Sequence, residues 1–416
     1  MTTQSHDVLF HLIRDCFTLF EMTIFFRILI FSVGIVITAN VNADTFETSG
    51  HVDFDLRLFL NDPAQSQQRQ NEEFSIAFQP EIRWENRKQR QRMSFVGFLR
   101  GDPNDAERSH ADIREAYWAI EKGPWDFTIG INKVFWGVAE SRHLIDIINQ
   151  TDLIENIDGE EKLGQPMINL NYQQDWGRLE MYLLPFFRER TYPGVEGRLR
   201  SSVPVNMENA QYESAKQEKR LSSAFRYSHY FGNVDFGVYL FEGVSREPRL
   251  EIAPNGKQLT PVYDNLKQVG VDVQHTGELW LWKLETIFRD TRVESSSALV
   301  GGFEYTNYQV FDSEYDLGLL TEVLYDNQSA PTLFNRDVFV GLRLTFNNPQ
   351  DSSILAGVIV DEESRETFIN LEAEHRINNV VSAELQYRKF HNTDSSSPLS
   401  SFAEDDYVQI KLRAYF

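Results

Sequence analysis

Ser141-Arg142-His143, with Asp146 close behind, brings a hydroxyl, an imidazole and a carboxylate into one stretch of chain. Those are the groups of a hydrolytic triad, in which the imidazole takes the serine proton and the carboxylate orients the imidazole. Triads are assembled by the fold, however, and nearness along the chain does not supply the geometry. No G-x-S-x-G, H-E-x-x-H or glycine-rich phosphate loop accompanies the trio. A hydrolase acting on lipid is therefore kept as an alternative, and a protein without catalytic residues is the main expectation.

The same stretch is rich in carboxylates: Asp146, Asp152, Glu155, Asp158, Glu160 and Glu161. Oxygen-rich clusters bind calcium when their spacing matches the twelve-residue loop of helix-loop-helix sites. Here Asn156-x-Asp158-Gly159 lacks the acidic first ligand, and Gln165 stands at the twelfth position. The expectation is a solvated acidic face, with no metal and no cofactor.

What elements hold this stretch? Residues 134–166 lie between two runs of period-two alternation, WDFTIGINK and MINLNY. Unlike the other long connections, the segment carries apolar residues (Phe135, Trp136, Leu144, Ile145, Ile147, Ile148, Leu153 and Ile154), so it must pack against something. Alternating runs recur along the rest of the chain. HVDFDLRLFL places Val52, Phe54, Leu56, Leu58 and Leu60 on one face and Asp53, Asp55 and Arg57 on the other. EFSIAFQPEIRW repeats the pattern, with Pro80 calling for a bulge or irregular pairing. Fifteen more such runs follow, the last before a closing strand YVQIKLRAYF, so the spacing predicts about eighteen strands, or about sixteen if 221–230 and 297–306 are not strands.

Short links (GPW, QDWG, FGN, TGE, INN) alternate with long polar ones over much of the chain. An up-and-down transmembrane barrel sorts its connections in this way, with tight turns on one side and long loops on the other. In hydrocarbon every backbone polar group needs an internal partner, so the sheet must close and the last strand must pair with the first. That accounts for a C-terminus with Val408, Ile410, Leu412, Ala414 and Phe416 on one face. Aromatic residues at strand ends (Trp84, Trp125, Tyr172, Trp176, Tyr230, Tyr325) suit interfacial girdles.

Composition agrees with a barrel. A chain that is 41% apolar and 13% aromatic is too polar for a helical membrane protein, but every second strand residue of a barrel faces lipid. The net charge of −22 disfavours nucleic acid as a partner. Residues 22–43 read as a secretory signal ending Val41-x-Ala43, preceded by an over-extended start, so 1–43 is expected to be removed and 44–416 to form the barrel. Cys16 is the only cysteine, which leaves the mature chain without thiols.

If the apolar faces point to lipid, parity sends arginines inward: Arg57, Arg83, Arg100, Arg114, Arg178, Arg343, Arg376, Arg388 and Arg413. These are the candidate selectivity residues of a pore wall. The alternative is that they pair with inward carboxylates such as Asp53, Asp55, Glu180, Glu372 and Glu384 and stiffen the wall. The third long connection is expected to fold into the bore, bringing Trp136, Arg142, His143, Asp146 and Asp152 near a constriction.

Gly130-x-x-Lys133-Val134-x-Trp136-Gly137, followed by Asp146-x-x-Asn149 and Thr151-Asp152-Leu153, resembles a motif of Gram-negative outer-membrane barrels related to porins and alginate-export-type channels. That family usually shows G-R-Q-x-V-x-W-G and then D-x-x-N-P-x-D-L. This chain departs from it at Asn132-Lys133 and at Gln150-Thr151. The C-terminal residues Val408 to Phe416 similarly resemble the assembly signal of such barrels. The resemblance implies an outer-membrane location, lipid and the barrel-assembly machinery as partners, and passive passage of a hydrophilic or amphiphilic solute. A non-conducting structural or partner-binding barrel is the alternative.

Overall fold

The computed structural model describes residues 44–69, 71–330, 332–395 and 397–416. The signal-like segment and Cys16 lie outside the described residues. The chain divides into residues 1–46 and 47–416. Of the first unit only residues 44–46 are described, in extended conformation.

The strands are, in order, β1 (Asp44–Phe59), β2 (Glu72–Asn86), β3 (Gln91–Gly101), β4 (Ala111–Lys122), β5 (Trp125–Asn132), β6 (Gln165–Gln174) and β7 (Gly177–Leu184). There follow β8 (Gln211–Tyr212), β9 (Ser222–Phe231), β10 (Val234–Val244), β11 (Arg249–Ile252), β12 (Leu259–Tyr263), β13 (Asn265–Thr276) and β14 (Trp280–Thr291). The last are β15 (Ser295–Asn307), β16 (Asp316–Asp326), β17 (Arg336–Thr345), β18 (Ser353–Asp361), β19 (Thr367–Asn378), β20 (Val381–His391) and β21 (Tyr407–Tyr415). Eighteen of them form one antiparallel sheet that closes because β1 pairs with both β2 and β21. The stretches around 221–230 and 297–306 are both strands, so the count is eighteen rather than sixteen. β8, β11 and β12 make a separate three-stranded sheet within two of the long loops. No helix among the described residues is long and apolar enough to cross a membrane.

Alternation in sequence becomes alternation in exposure. Along β14, Trp282 is 49% and Phe288 52% exposed, while Glu285 between them is fully buried. Along β16, Leu319 and Val323 are exposed while Leu320 and Glu322 are buried. The exposed apolar set recurs on nearly every strand, the pattern expected of a barrel face that meets hydrocarbon. The buried set is the barrel's interior face. Pro80 behaves as its chemistry requires: the register of β2 with β3 omits Gln79 and Pro80, and β3 slips against β4 between Val96 and Gly97.

The seam closes tightly. Gly50 and Phe416 exchange backbone hydrogen bonds of 3.2 and 3.1 Å, and the Phe416 ring stacks on Phe78 with centroids 5.8 Å apart. A Cβ on Gly50 would lie 2.6 Å from that ring and 2.5 Å from the Gln79 carbonyl, so glycine is required there by space. Most short turns (87–90, 123–124, 175–176, 232–233, 277–279, 379–380) lie at one end of the strands together with 308–315 and 346–352, and the longest connections lie at the other, where 292–294 is short. An aromatic chain Trp125–Tyr172–Trp176–Tyr227 runs along the turn end.

Candidate functional site

The segment between β5 and β6 is tied at its neck by one side chain. Asn149 accepts from the Val134 N–H at 2.8 Å and donates to the carbonyls of Asn132 at 2.9 Å and Leu163 at 2.8 Å. An amide does this because it offers an acceptor and two donors at once. Gly130, just before the neck, has φ +136 and sits where a Cβ would meet the Ala116 carbonyl at 2.2 Å.

Beyond the neck the apolar residues pack as their sequence demands, against buried residues of the strands. Trp136, Leu144, Ile145, Ile147 and Ile148 join one buried cluster with Tyr182, Tyr239, Ile287, Val300, Leu320 and Phe339. The Trp136 ring lies 5.2 Å from Tyr239 and 5.6 Å from Tyr182, with the Arg226 guanidinium 5.0 Å from its centroid. Phe135 is the exception. It is 58% exposed and meets only the edge of the His143 ring, 4.8 Å away.

Two interior carboxylates hold the segment's backbone. Glu285 accepts from the N–H groups of Val138 at 2.7 Å, Ala139 at 3.0 Å and Ile145 at 3.2 Å. Glu322 accepts from the N–H groups of Glu140 and Ser141, both at 2.8 Å, and from the Ser141 hydroxyl at 2.5 Å. Hydrogen bonds to an ionised acceptor are about twice as strong as neutral ones. Glu140 in turn bridges Arg343 at 2.7 Å and Lys283 at 3.5 Å, and Arg142 pairs with Asp326 at 3.0 Å. From the loop after β10, Arg246 donates to the carbonyls of Ile147 and Ile148 at 3.0 and 2.9 Å. Burial pushes its guanidinium down to about 9, which leaves it charged at neutral pH.

This arrangement answers the triad question. Ser141 bonds Glu322, His143 bonds Glu160 at 3.2 Å, and Asp146 pairs with Lys162 at 3.1 Å and accepts from the Trp136 N–H at 3.4 Å. The three groups face three separate partners. Burial opposes protonation of His143, but the carboxylates of Glu160, Glu285 and Asp146 outweigh it and raise its pKa.

A second charge cluster joins the far part of the segment to β1, β3 and β4. Arg100 reaches Asp55 at 2.6 Å and Glu155 at 2.7 Å, while Arg114 reaches Asp152 at 2.6 Å and Asp112 at 3.0 Å. Burial works against the charge of Asp152, yet His110 at 3.7 Å, Arg114 and the Thr191 hydroxyl hold its pKa well below the usual carboxylate range. His110, Asp152 and Glu155 offer three ligand atoms within 4.8 Å of one another. Arg100 and Arg114 already neutralise those carboxylates, so the cluster is an ion-pair network and a poor cation site.

The acidic stretch is a solvated face only in part: the side chains of Asp146, Asp152 and Glu155 are buried against Lys162, Arg114 and Arg100, whereas Asp158, Glu160 and Glu161 are exposed, Asp158 pairing with Arg388 at 2.7 Å. The inward arginines fall into two sets. Arg57, Arg100, Arg114 and Arg388 are buried and paired, Arg57 with Glu73 at 3.5 Å, and Arg413 clasps Asp53 at 2.7 Å. Arg83, Arg178 and Arg376 keep more than a third of their side chains in solvent and Arg343 just under a third, each beside a carboxylate. Sequence reasoning missed Glu285, Glu322 and Arg246. Parity with Lys283 and Arg289 was the one signal that could have found Glu285.

No family model matches the chain, and no curated protein matches it. Among solved structures, a BenF-like porin from Pseudomonas fluorescens Pf-5 aligns with a TM-score of 0.54 at 9% identity, covering 90% of this chain and 98% of that one. Wzi, an outer-membrane protein involved in group 1 capsule assembly in Escherichia coli and described as a carbohydrate-binding β-barrel, aligns at 0.52 with 10% identity, covering 88% and 84%. At such identities the likeness is one of fold: this chain is a closed eighteen-stranded antiparallel barrel, similar in fold to those porin-like barrels.

Proposed function

We propose that the protein is an outer-membrane channel of a Gram-negative bacterium, passing a hydrophilic or amphiphilic solute by diffusion, and that residues 134–164 lie across its bore. The observation that carries this reading is the attachment of the segment's backbone to Glu285 and Glu322, interior residues of strands that lie far from β5 around the barrel. The short turns would face the periplasm and the long loops the exterior. Lys283, Glu140 and Arg343 form a charged bridge between segment and wall, and with Arg83, Arg178 and Arg376 they are the charges a solute would meet. The final strand, ending on Phe416, would be the handle for the assembly machinery.

Swelling of liposomes that contain the protein tests passage. Small sugars and amino acids should enter slowly with the intact barrel and faster after deletion of residues 138–162. Equal impermeability of both would overturn the channel reading.

One observation favours a second reading. The long loops also seal the exterior end: Phe59, Leu199, Phe390, Leu399 and Tyr407 form a buried cluster joining the loops after β7 and β20 to the wall. A barrel packed so fully would bind a carbohydrate rather than conduct, as the description of Wzi suggests. Saturable oligosaccharide binding without swelling would select that reading.

A further inference from the structure

The turn end of the barrel is electrically lopsided. The β2–β3 turn and the adjoining end of β4 carry Arg87, Lys88, Arg90 and Lys122, all exposed. No other short connection at this end contains a lysine or arginine, and several carry Asp175, Glu278, Asp312, Glu314 or Asp351. In a chain of net charge −22 this concentration stands against the general trend. Arg87 has Glu85 at 3.3 Å, whereas Lys88, Arg90 and Lys122 have no carboxylate within ion-pair distance among the described residues.

The backbone adds a second observation. Arg90 closes the turn at φ +50, the left-handed region where glycine or asparagine is cheaper. Its carbonyl accepts from the Glu121 N–H at 3.0 Å, so the turn is fixed beside the end of β4 and Arg90 sits near Lys122. Lys122 pairs directly across its hairpin with Trp125, which is 43% exposed and heads the aromatic chain. Aromatic side chains settle at the level of lipid headgroups. Cations one step beyond that level meet the phosphates.

We propose that Lys88, Arg90 and Lys122 form a binding site for the phosphate headgroups of anionic phospholipid in the leaflet facing the turn end. The proposal goes beyond solute passage but rests on the membrane reading above. Loss of all three cations near an anionic surface weakens retention by about a hundredfold.

The test uses the barrel folded into phosphatidylcholine bilayers containing a minority of phosphatidylglycerol, then extracted in mild detergent. Retained lipids are counted by mass spectrometry. Phosphatidylglycerol should stay on the intact protein in preference to phosphatidylcholine, and Lys88→Ser/Arg90→Ser/Lys122→Ser should lose it. Arg90→Gly alone sharpens the test, because relief of the left-handed backbone raises the unfolding midpoint while lipid retention falls. Equal retention by variant and parent, or no preference for phosphatidylglycerol, would overturn the proposal. So would displacement by millimolar inorganic phosphate, which would assign the site to free phosphate. Failure of the parent to insert at all is read separately, from protease protection, and would remove the membrane reading and the proposal together.

Discussion

At the scale of single residues, the buried charges of the strands are occupied with one another and with the segment after β5. Arg114 and Asp152 are both almost wholly buried, and 2.6 Å separates them. Removing one partner leaves the other charge stranded, so Arg114→Ala should cost about 3–5 kcal/mol. The shift of the guanidinium midpoint of the refolded barrel measures it, and Arg114→Gln/Asp152→Asn should cost less than Arg114→Ala. Glu285→Gln and Glu322→Gln should loosen the segment with little effect on the strands, because each retains shape and loses charge. Limited proteolysis within 138–148 reads this, with faster cutting in both variants. His143 supplies a pH dependence. Its folded pKa is raised above the ordinary 6.5, so its contribution to docking is complete below that value and fades as pH rises through the folded pKa. Proteolysis of the segment should therefore accelerate from neutral to alkaline pH, and His143→Gln should flatten the profile.

At the scale of elements, the strands were legible because a lipid-facing sheet leaves the sequence little choice. Period-two alternation is imposed by geometry at every strand, and all eighteen were readable from it, including the seam at Phe416. β8, β11 and β12 were not, since strands of two to five residues carry no periodic signal. The motif around Gly130, Trp136, Asp146, Asn149 and Asp152 falls at the segment between β5 and β6, and the structure shows what its residues do there. Asn149 ties the neck, Asp146 and Trp136 bond across it, and Asp152 anchors the far side. What the backbone at Val138–Ser141 binds could not be read, because Glu285 and Glu322 are more than a hundred residues away along the chain. Nor could the spacing separate an open ladder of arginines from a paired network; parity gives the face and not the partner. At the seam, Phe416→Ala removes the ring that stacks on Phe78 and covers Gly50. It should slow barrel closure, measured as a delayed appearance of the heat-modifiable folded band, and leave the final stability less affected than the rate.

At the scale of the whole molecule, a barrel of eighteen strands is wide enough to hold something, and in the reading proposed here it holds its own chain. The segment after β5 supplies apolar residues that pack against buried residues of strands from β6 through β18, and loops after β7 and β20 pack together at the long-loop end. The polar rim at the turn end remains open to solvent, with Arg83, Arg178 and Arg376 around it. A solute path then depends on whether the segment is a constriction or a seal. Single-channel recording in a planar bilayer of residues 44–416, intact and with 138–162 deleted, is the most direct measurement. The account predicts small or infrequent current steps from the intact barrel and larger, stable steps after deletion. Silence in both would contradict it.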